Sequence, residues 1–299
     1  MHSIQSSYML LTTMRNEKEM LTGLFDCVLC QTLQPVSWVI VDDGSTDNSY
    51  DSAIELAEGR RWITVIRKDQ DSTRSVCKIG AALSFGFKKG LGISSSSGTH
   101  PEMTGILDAD TVVDTRYFER LSNVLAETPR AAIATGLIST VGGLATESKP
   151  IPRGCARLYV VSFLEEIGGV PIAPAYETII EIKARNRGFT LVIDPQSTGT
   201  HRRASSSSKD TTGYRNLGYS HYLVGTDFTS FLLVSISLLF RYGALGAVAF
   251  AKGYFGARRQ KQPRIDDPEI RKYFSSSLRR LVASKETRMV IKSLLRGSD

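Results

Sequence analysis

Short apolar segments alternate with helical segments along the first hundred residues, and this alternation constrains the fold more than any other feature. Four apolar runs have the length of buried strands: Tyr8–Thr13, Trp38–Val41, Trp62–Arg67 and Gly105–Leu107. The stretch Glu19–Leu33 places apolar residues at three- and four-residue steps, which is typical of an amphipathic helix. Strands and helices that alternate in this way predict βαβ units. The expected fold class is therefore α/β, with a mostly parallel sheet and helices on both of its faces.

The segments between these strands are predicted from periodicity and composition. Helices are expected over Asp47–Gly59 and Cys77–Lys89. Two stretches, Ile93–Thr99 and Arg203–Gly213, are rich in serine and are predicted to be loops. The second follows His201 and is a candidate lid over a binding site.

Polar residues follow three of the predicted strands, within 13–17, 42–45 and 108–110. Ligands of parallel α/β sheets bind beyond the carboxyl ends of the strands, so a binding site is expected at this edge. Asp108 and Asp110 are separated by one small residue, and neighbouring carboxylates repel each other unless a cation is present. A divalent ion such as Mg²⁺ or Mn²⁺ is their natural partner. A helix N-cap beside a solvated aspartate would also explain the pair.

The order of these motifs resembles that of the family 2 glycosyltransferases. The resemblance covers roughly residues 8–203 and rests on five segments: 10–17, Gln31-Thr32, 39–47, 78–83 and 107–110. Members of this family move a sugar from a nucleotide-sugar, and the resemblance implies their GT-A fold, a mixed, mostly parallel sheet with flanking helices. The sequence departs from the family pattern at Thr13, Arg15 and Tyr176, where the family has Pro, Tyr and Glu.

The resemblance also implies a donor site and a metal site. The donor would be a UDP- or GDP-linked sugar. The residues that would bind it are Thr13, Arg15, Glu17, Asp43, Lys78 and Asp108. Asp43 would bind the nucleobase, whereas Lys78 has an alternative interpretation as a surface lysine on a helix. A Mg²⁺ or Mn²⁺ ion bridging the diphosphate would be held by Asp110, with Asp108 and His201 as further ligands. A histidine at that position also has a purely structural interpretation.

The second half of the chain supplies a candidate catalytic base. A helix is predicted over Glu177–Arg187, and it ends at Gly188 in the usual capping position. In the family, an aspartate eleven residues before this glycine deprotonates the acceptor hydroxyl, and that position is Glu177 here. Glu181, one turn later, is the alternative base. The structural alternative is a glutamate stabilised by the helix dipole.

An apolar segment follows in the C-terminal region. Phe228–Phe240 is uncharged, and the small, apolar Gly243–Ala251 comes after Arg241. In a single spanning helix Arg241 would lie near the bilayer centre, at a cost of about 2.5–3.5 kcal/mol. Two short helices at a membrane surface or against the core are therefore expected. A basic cluster of the kind that attracts anionic lipid comes directly afterwards: Lys252, Arg258, Arg259, Lys261 and Arg264.

Charge is unevenly distributed along the chain, whose formal net charge is +7. Residues 253–299 contain 12 Lys/Arg and 5 Asp/Glu, whereas residues 1–252 hold 25 of each sign. We expect a catalytic domain over 1–215, with a nucleotide-binding half near 1–110 and an acceptor half near 111–215. Residues 216–299 would form a helical region that associates with a membrane or with a second copy of the chain. The N-terminus lacks a signal-peptide pattern, so the expected location is the cytoplasm, at the cytoplasmic face of the membrane.

These observations predict an inverting, metal-dependent glycosyltransferase with a lipid-linked acceptor. The alternatives are a soluble glycosyltransferase with a non-lipid acceptor and an inactive nucleotide-sugar-binding partner. Only the departures at Thr13, Arg15 and Tyr176 support the inactive protein, and the retained carboxylates oppose it. A nucleic-acid partner is not expected, because the basic tail has neither a recognition motif nor interleaved aromatic residues.

Overall fold

The computed structural model describes residues 7–69, 75–141, 152–203 and 211–275. The chain forms two compact units, Met1–Ser205 and Ser206–Asp299. The first unit contains an eight-stranded sheet with helices on both of its faces. The described part of the second unit is helical.

The sheet of the first unit is mixed and mostly parallel. Its strands are β1 (Tyr8–Met14), β2 (Ser37–Asp42), β3 (Ile63–Arg67), β4 (Met103–Leu107), β5 (Thr111–Val113), β6 (Ala131–Thr140), β7 (Ala156–Val160) and β8 (Thr190–His201). They are ordered β3-β2-β1-β4-β7-β6-β8-β5. The first four are mutually parallel, as are β6 and β8, whereas β7 is antiparallel to both of its neighbours and β5 is antiparallel to β8. The predicted α/β class is confirmed.

Helices cover both faces of this sheet, as predicted. They are α1 (Lys18–Leu29), α2 (Ser49–Ala57), α3 (Lys78–Ser96), α4 (Tyr117–Glu127), α5 (Val161–Glu166) and α6 (Tyr176–Asn186). Side chains alternate along β1, so Leu10 packs in one core with α1, α2 and α4. Met9 and Leu11 pack in the opposite core with α3, α5 and α6.

The strand order places a binding edge at the carboxyl end of β1. This strand lies between β2 and β4, with Met14 paired beside Asp42 and Leu11 beside Ile106. The order of the strands therefore reverses at β1, and such reversal points are where open α/β sheets bind ligands. The segments that follow β1, β2 and β4 all emerge at this edge, as expected from the sequence.

One predicted loop proves to be helical. The serine-rich stretch Ile93–Thr99 continues α3 as far as Ser96. The hydroxyl of Ser96 donates to the carbonyl of Gly92, and the hydroxyl of Ser94 pairs with that of Ser37 at 3.2 Å. Serines therefore satisfy their hydrogen bonds along the helix, which composition alone did not indicate. The other serine-rich loop, the candidate lid, lies largely outside the described residues.

In the second unit, the described helices are α7 (Thr211–Leu223), α8 (Phe228–Arg259) and α9 (Pro268–Ser275). Gly243 interrupts α8 with a positive φ of 79°, so the apolar segment forms two helical halves. The side chain of Asp227 caps the first half by accepting a hydrogen bond from the Ser230 N–H at 2.8 Å. Among the helices that the structure describes, none has the length and hydropathy that a bilayer span requires.

Two glycines allow α7 and α8 to pack at close range. A Cβ at Gly218 would collide with the carbonyl of Phe250, and a Cβ at Gly253 would collide with the carbonyl of Arg215. Phe250 also stacks on Phe231, with ring centroids 5.5 Å apart. The second unit therefore has its own tightly packed helix crossing.

Candidate active site

Side-chain hydrogen bonds tie together the turns that follow β1 and β2. Asn16, which has a positive φ of 57°, accepts a hydrogen bond from the N–H of Thr46 through its Oδ1 at 2.8 Å. The hydroxyl of Ser45 accepts from the N–H of Asn16 at 3.0 Å, and that of Ser49 accepts from the N–H of Glu17 at 2.8 Å. These bonds hold Glu17 next to the turn after β2.

The two aspartates at the end of β2 have different surroundings. Asp42 is fully buried, and its oxygens accept from the Ser45 N–H at 3.1 Å and from Nε of Arg67 at 2.9 Å. Asp43 retains 8% exposure, and Nη1 of Arg15 lies 3.8 Å from its Oδ2. Asp42 therefore stabilises the turn, whereas the carboxylate of Asp43 has only Arg15 beside it, and its role as a nucleobase ligand stays a prediction.

Two further predicted donor-binding residues, Thr13 and Lys78, lie near the ends of elements. Thr13 is half-buried near the end of β1, where it pairs beside Val41. Lys78 is the partly exposed first residue of α3. Within the described part of the chain, its side chain makes no hydrogen bond or ion pair. The role of Lys78 as a donor ligand therefore stays a prediction.

Asp110 lies between two basic side chains from the end of β8. Nε2 of His201 is 3.3 Å from Oδ1 of Asp110, and Nε of Arg203 is 3.7 Å from Oδ2. The pairing of β5 with β8 causes this proximity, because Thr111 lies opposite His201. Arg203 also donates from Nη2 to Oε2 of Glu17 at 2.6 Å. The structure thus brings together predicted site residues from the start, the middle and the end of the first unit.

Asp108 belongs to the same cluster. Its N–H donates to the carbonyl of Cys155 at 2.8 Å, which anchors the residue after β4. Burial, together with the negative charges of Glu177, Asp110 and Glu17, raises the pKa of the Asp108 carboxyl to about 8. A carboxyl group with three carboxylate neighbours retains its proton until a cation compensates the charge.

The helix α6 carries both candidate bases, and their contacts distinguish them. It begins at Tyr176, one residue earlier than predicted, and places Glu177 in its first turn. The Glu177 carboxylate occupies the space next to Gly154, where any Cβ would collide with it. Glu181 instead accepts from Nη1 of Arg157 at 2.6 Å. Glu181 is therefore held in an ion pair, whereas Glu177 is the α6 glutamate whose negative charge raises the pKa of Asp108.

Sequence reasoning missed Arg157. Its side chain is only 7% exposed, on β7 beneath α6. Burial lowers the pKa of its guanidinium, but Tyr159, Glu177 and Glu181 outweigh burial and raise this pKa overall. The available signal in the sequence is a single arginine within the otherwise apolar strand Ala156–Val160.

Three predicted ligands, Asp108, Asp110 and His201, suit a divalent cation that keeps some of its coordinated water. Asp108, Asp110 and His201 offer carboxylate oxygens and an imidazole nitrogen, which are ligands that Mn²⁺ accepts. In the described ranges, no three acidic, histidine or cysteine side chains are already assembled around one point. A cation at Asp110 would therefore take its other ligands from water and from a substrate diphosphate, as Mg²⁺ commonly does.

A mixed, mostly parallel sheet with a carboxylate cluster at its carboxyl edge is the arrangement expected of the GT-A fold. The family described as glycosyl transferase family 2 matches residues 10–154. This match confirms the resemblance to family 2 glycosyltransferases that the motifs indicate. The sequence has no significant match among curated proteins.

Solved structures support the same fold. The mannosyltransferase PcManGT from Pyrobaculum calidifontis, in complex with GDP-Man and Mn²⁺, aligns with a TM-score of 0.54 at 15% identity, over 96% of this chain and 83% of its own. S. aureus TarS with UDP aligns with a TM-score of 0.52 at 13% identity, over 72% and 65%. GalNAc-T7 with UDP, GalNAc and Mn²⁺ aligns with a TM-score of 0.56 at 14% identity, over 95% and 58%. At these identities the likeness establishes the GT-A fold and confirms the predicted fold class.

Proposed function

We propose that the protein is an inverting, metal-dependent glycosyltransferase that moves a sugar from a UDP- or GDP-linked donor to an acceptor hydroxyl or phosphate. The observation that carries the proposal is the clustering of Asp108, Asp110, Glu17 and Glu177, with Asp43 at the same sheet edge. Structures of the same fold contain GDP-Man or UDP, two of them with Mn²⁺, which supports this class of donor.

The donor would lie along the edge formed by β1, β2 and β4. Asp43 binds the nucleobase, and Thr13 and Glu17 line the base and ribose pocket. Arg15 stands where the family has tyrosine, and a planar guanidinium can stack on a base as an aromatic ring does. Arg15 lies beside Asp43, the proposed nucleobase ligand, which supports a guanidinium in place of the aromatic ring.

The diphosphate end of the donor would lie over Asp108 and Asp110. These two residues and His201 would hold a Mg²⁺ or Mn²⁺ ion, which when bound would offset the growing charge of the departing nucleoside diphosphate. Lys78 contacts a phosphate or the donor sugar. Asp108 must lose its proton for this site to form, since its pKa is raised to about 8 in the ligand-free protein.

Glu177 is the proposed general base. It accepts the proton of the acceptor hydroxyl, whose oxygen attacks the anomeric carbon while the bond from that carbon to the phosphate oxygen breaks. A single displacement inverts the anomeric centre and needs no second nucleophile. Glu181, the alternative base, is less suited to this role because its carboxylate is paired with Arg157.

Conservative variants of the two α6 glutamates test this assignment. Glu177→Gln should lower the transfer rate by at least about 100-fold, the usual contribution of a general base, with little change in donor affinity. Glu181→Gln is the matched control and should retain most of the rate. Asp110→Ala should abolish both transfer and metal-dependent nucleotide binding. Loss of donor binding in Glu177→Gln, or a greater loss of rate in Glu181→Gln, would contradict the assignment.

The second unit supports a lipid-linked acceptor at a membrane surface. We name as the apolar stripe the large exposed side chains of α8: Phe228, Leu232, Ile236, Leu239, Phe240, Tyr242, Leu245, Val248 and Phe255. The most exposed, Leu245, is 76% accessible. The sequence contains no acidic residue between Asp227 and Asp266. An apolar face combined with positive charge is the pattern of a helix that lies in the surface of an anionic membrane.

A further inference from the structure

Arg203 connects two carboxylates from different connecting segments: Glu17, between β1 and α1, and Asp110, between β4 and β5. Its Nη2 donates to Oε2 of Glu17 at 2.6 Å, and its Nε lies 3.7 Å from Oδ2 of Asp110. The other oxygen of Asp110 faces His201 at 3.3 Å. Both oxygens of Asp110 therefore have a nitrogen group next to them.

A cation that binds Asp110 has to compete with this arginine. The described residues contain no ready-made set of three ligands to outweigh that competition. Glu17 is 11% exposed, whereas Arg203 is 53% exposed, so the arginine holds the site from its solvent side. Arg203 also counteracts the burial and the Asp110 charge that together raise the pKa of the Glu17 carboxyl.

We propose that Arg203 is a built-in counterion that makes divalent-cation binding depend on the nucleoside diphosphate. Without donor, Arg203 neutralises Glu17 and Asp110 and weakens the binding of a free cation. A diphosphate offers the guanidinium a better, bidentate partner and gives the cation its missing oxygen ligands. Cation and nucleotide then bind with positive coupling. This inference rests on the proposed function, because it takes Asp110 as the metal ligand.

The test measures Mn²⁺ binding directly, by loss of the electron paramagnetic resonance signal of free Mn²⁺. The full-length protein is titrated with Mn²⁺ alone, and then in the presence of UDP or GDP. Arg203→Gln should bind Mn²⁺ alone about fivefold more tightly than the wild type, the effect of removing one partly exposed ion pair. The factor by which the nucleotide improves Mn²⁺ affinity should fall in the same variant. Arg203→Lys keeps the positive charge but loses the bidentate guanidinium. Its Mn²⁺ affinity should lie between those of the wild type and Arg203→Gln.

Arg202→Gln is the matched control, since it removes the same charge one residue away. The Arg202 guanidinium lies over Gly23 of α1 and not over the carboxylates. An equal gain in Arg202→Gln would assign the effect to net charge and overturn the proposal, as would unchanged Mn²⁺ affinity in Arg203→Gln. If the wild type binds Mn²⁺ with neither nucleotide, the metal site of the proposed function fails as well. If the wild type binds Mn²⁺ with nucleotide and only the Arg203 effect is absent, the proposed function stands.

Discussion

Asp108 has the most strongly raised pKa among the carboxyl groups of the candidate site. Its carboxyl group has a pKa of about 8, raised by burial and by Glu177, Asp110 and Glu17. In an unfolded chain an aspartate has a pKa of about 3.9. The folded protein therefore binds a proton here that the unfolded chain releases, and folding stability is lost as pH rises from the lower value through the higher one.

Asp108→Asn removes this proton linkage and gives a pH-dependent prediction. In the absence of divalent cations, the variant should gain thermal stability over the wild type as pH rises from about 5 to about 8, with no further gain above that. Melting temperatures measured across this range provide the check. Asp26→Asn, at an exposed position on α1, is the control and should show no such trend. A difference between Asp108→Asn and wild type that is constant with pH would contradict the role of burial and charge crowding.

Individual site residues differed in how far the sequence could predict them. Asp43, Asp108 and Asp110 follow strands in recognisable motifs, so local sequence placed them at the sheet edge. Arg157 has no such motif, and its partner Glu181 lies 24 residues away. The contact of Arg203 with Glu17 spans 186 residues. Contacts of that kind depend on strand order, which periodicity does not determine.

At the scale of elements, the crossing of α7 and α8 depends on glycine at two positions. Gly253→Ala should destabilise the second unit by about 1–3 kcal/mol, the usual cost of overpacking, because its Cβ would press on the backbone of Arg215. Gly256→Ala is the matched control, since no atom lies within 4 Å of a Cβ there. It should stabilise the same helix by about 0.5–1 kcal/mol. Chemical denaturation of the full chain measures both, and equal effects would exclude a close crossing.

Most elements of the first unit were predictable, and the errors have local causes. The strands β1 to β4 were placed within two residues, because buried parallel strands give continuous apolar runs. The predicted end of α3 was wrong, because the Ser96 hydroxyl donates to a carbonyl of the preceding turn and the helix continues. The later strands β5 to β8 were not predicted, and the apolar residues of β6 and β7 are interrupted by polar ones such as Thr135 and Arg157. In β8, none of the eight residues from Asp194 to His201 is a large apolar residue, so this half of the strand has no apolar signal.

At the scale of the whole molecule, the proposed membrane role of the second unit can be measured with lipid vesicles. The full-length protein should sediment with vesicles that contain anionic phosphatidylglycerol, and less with neutral ones. Phe240→Ser combined with Leu245→Ser should weaken this binding by about tenfold or more, since each buried apolar side chain contributes about 1.5–3 kcal/mol. Ser237→Ala, an exposed site on the same helix, is the control. Equal binding of variant and wild type would contradict the apolar stripe as the lipid contact, and a stable dimer without vesicle binding would assign the stripe to a second copy of the chain.

Ligand-induced stabilisation shows whether this molecule binds a nucleoside-diphosphate donor together with a divalent cation. Thermal unfolding is followed with UDP, GDP, CDP and their common sugar conjugates, each with and without Mn²⁺. We expect one nucleotide to stabilise the protein, most strongly with Mn²⁺, because ligands stabilise the folded state by mass action. The Mn²⁺-dependent part should disappear in Asp110→Ala. No stabilisation with any nucleotide, or an equal one in Asp110→Ala, would contradict this expectation.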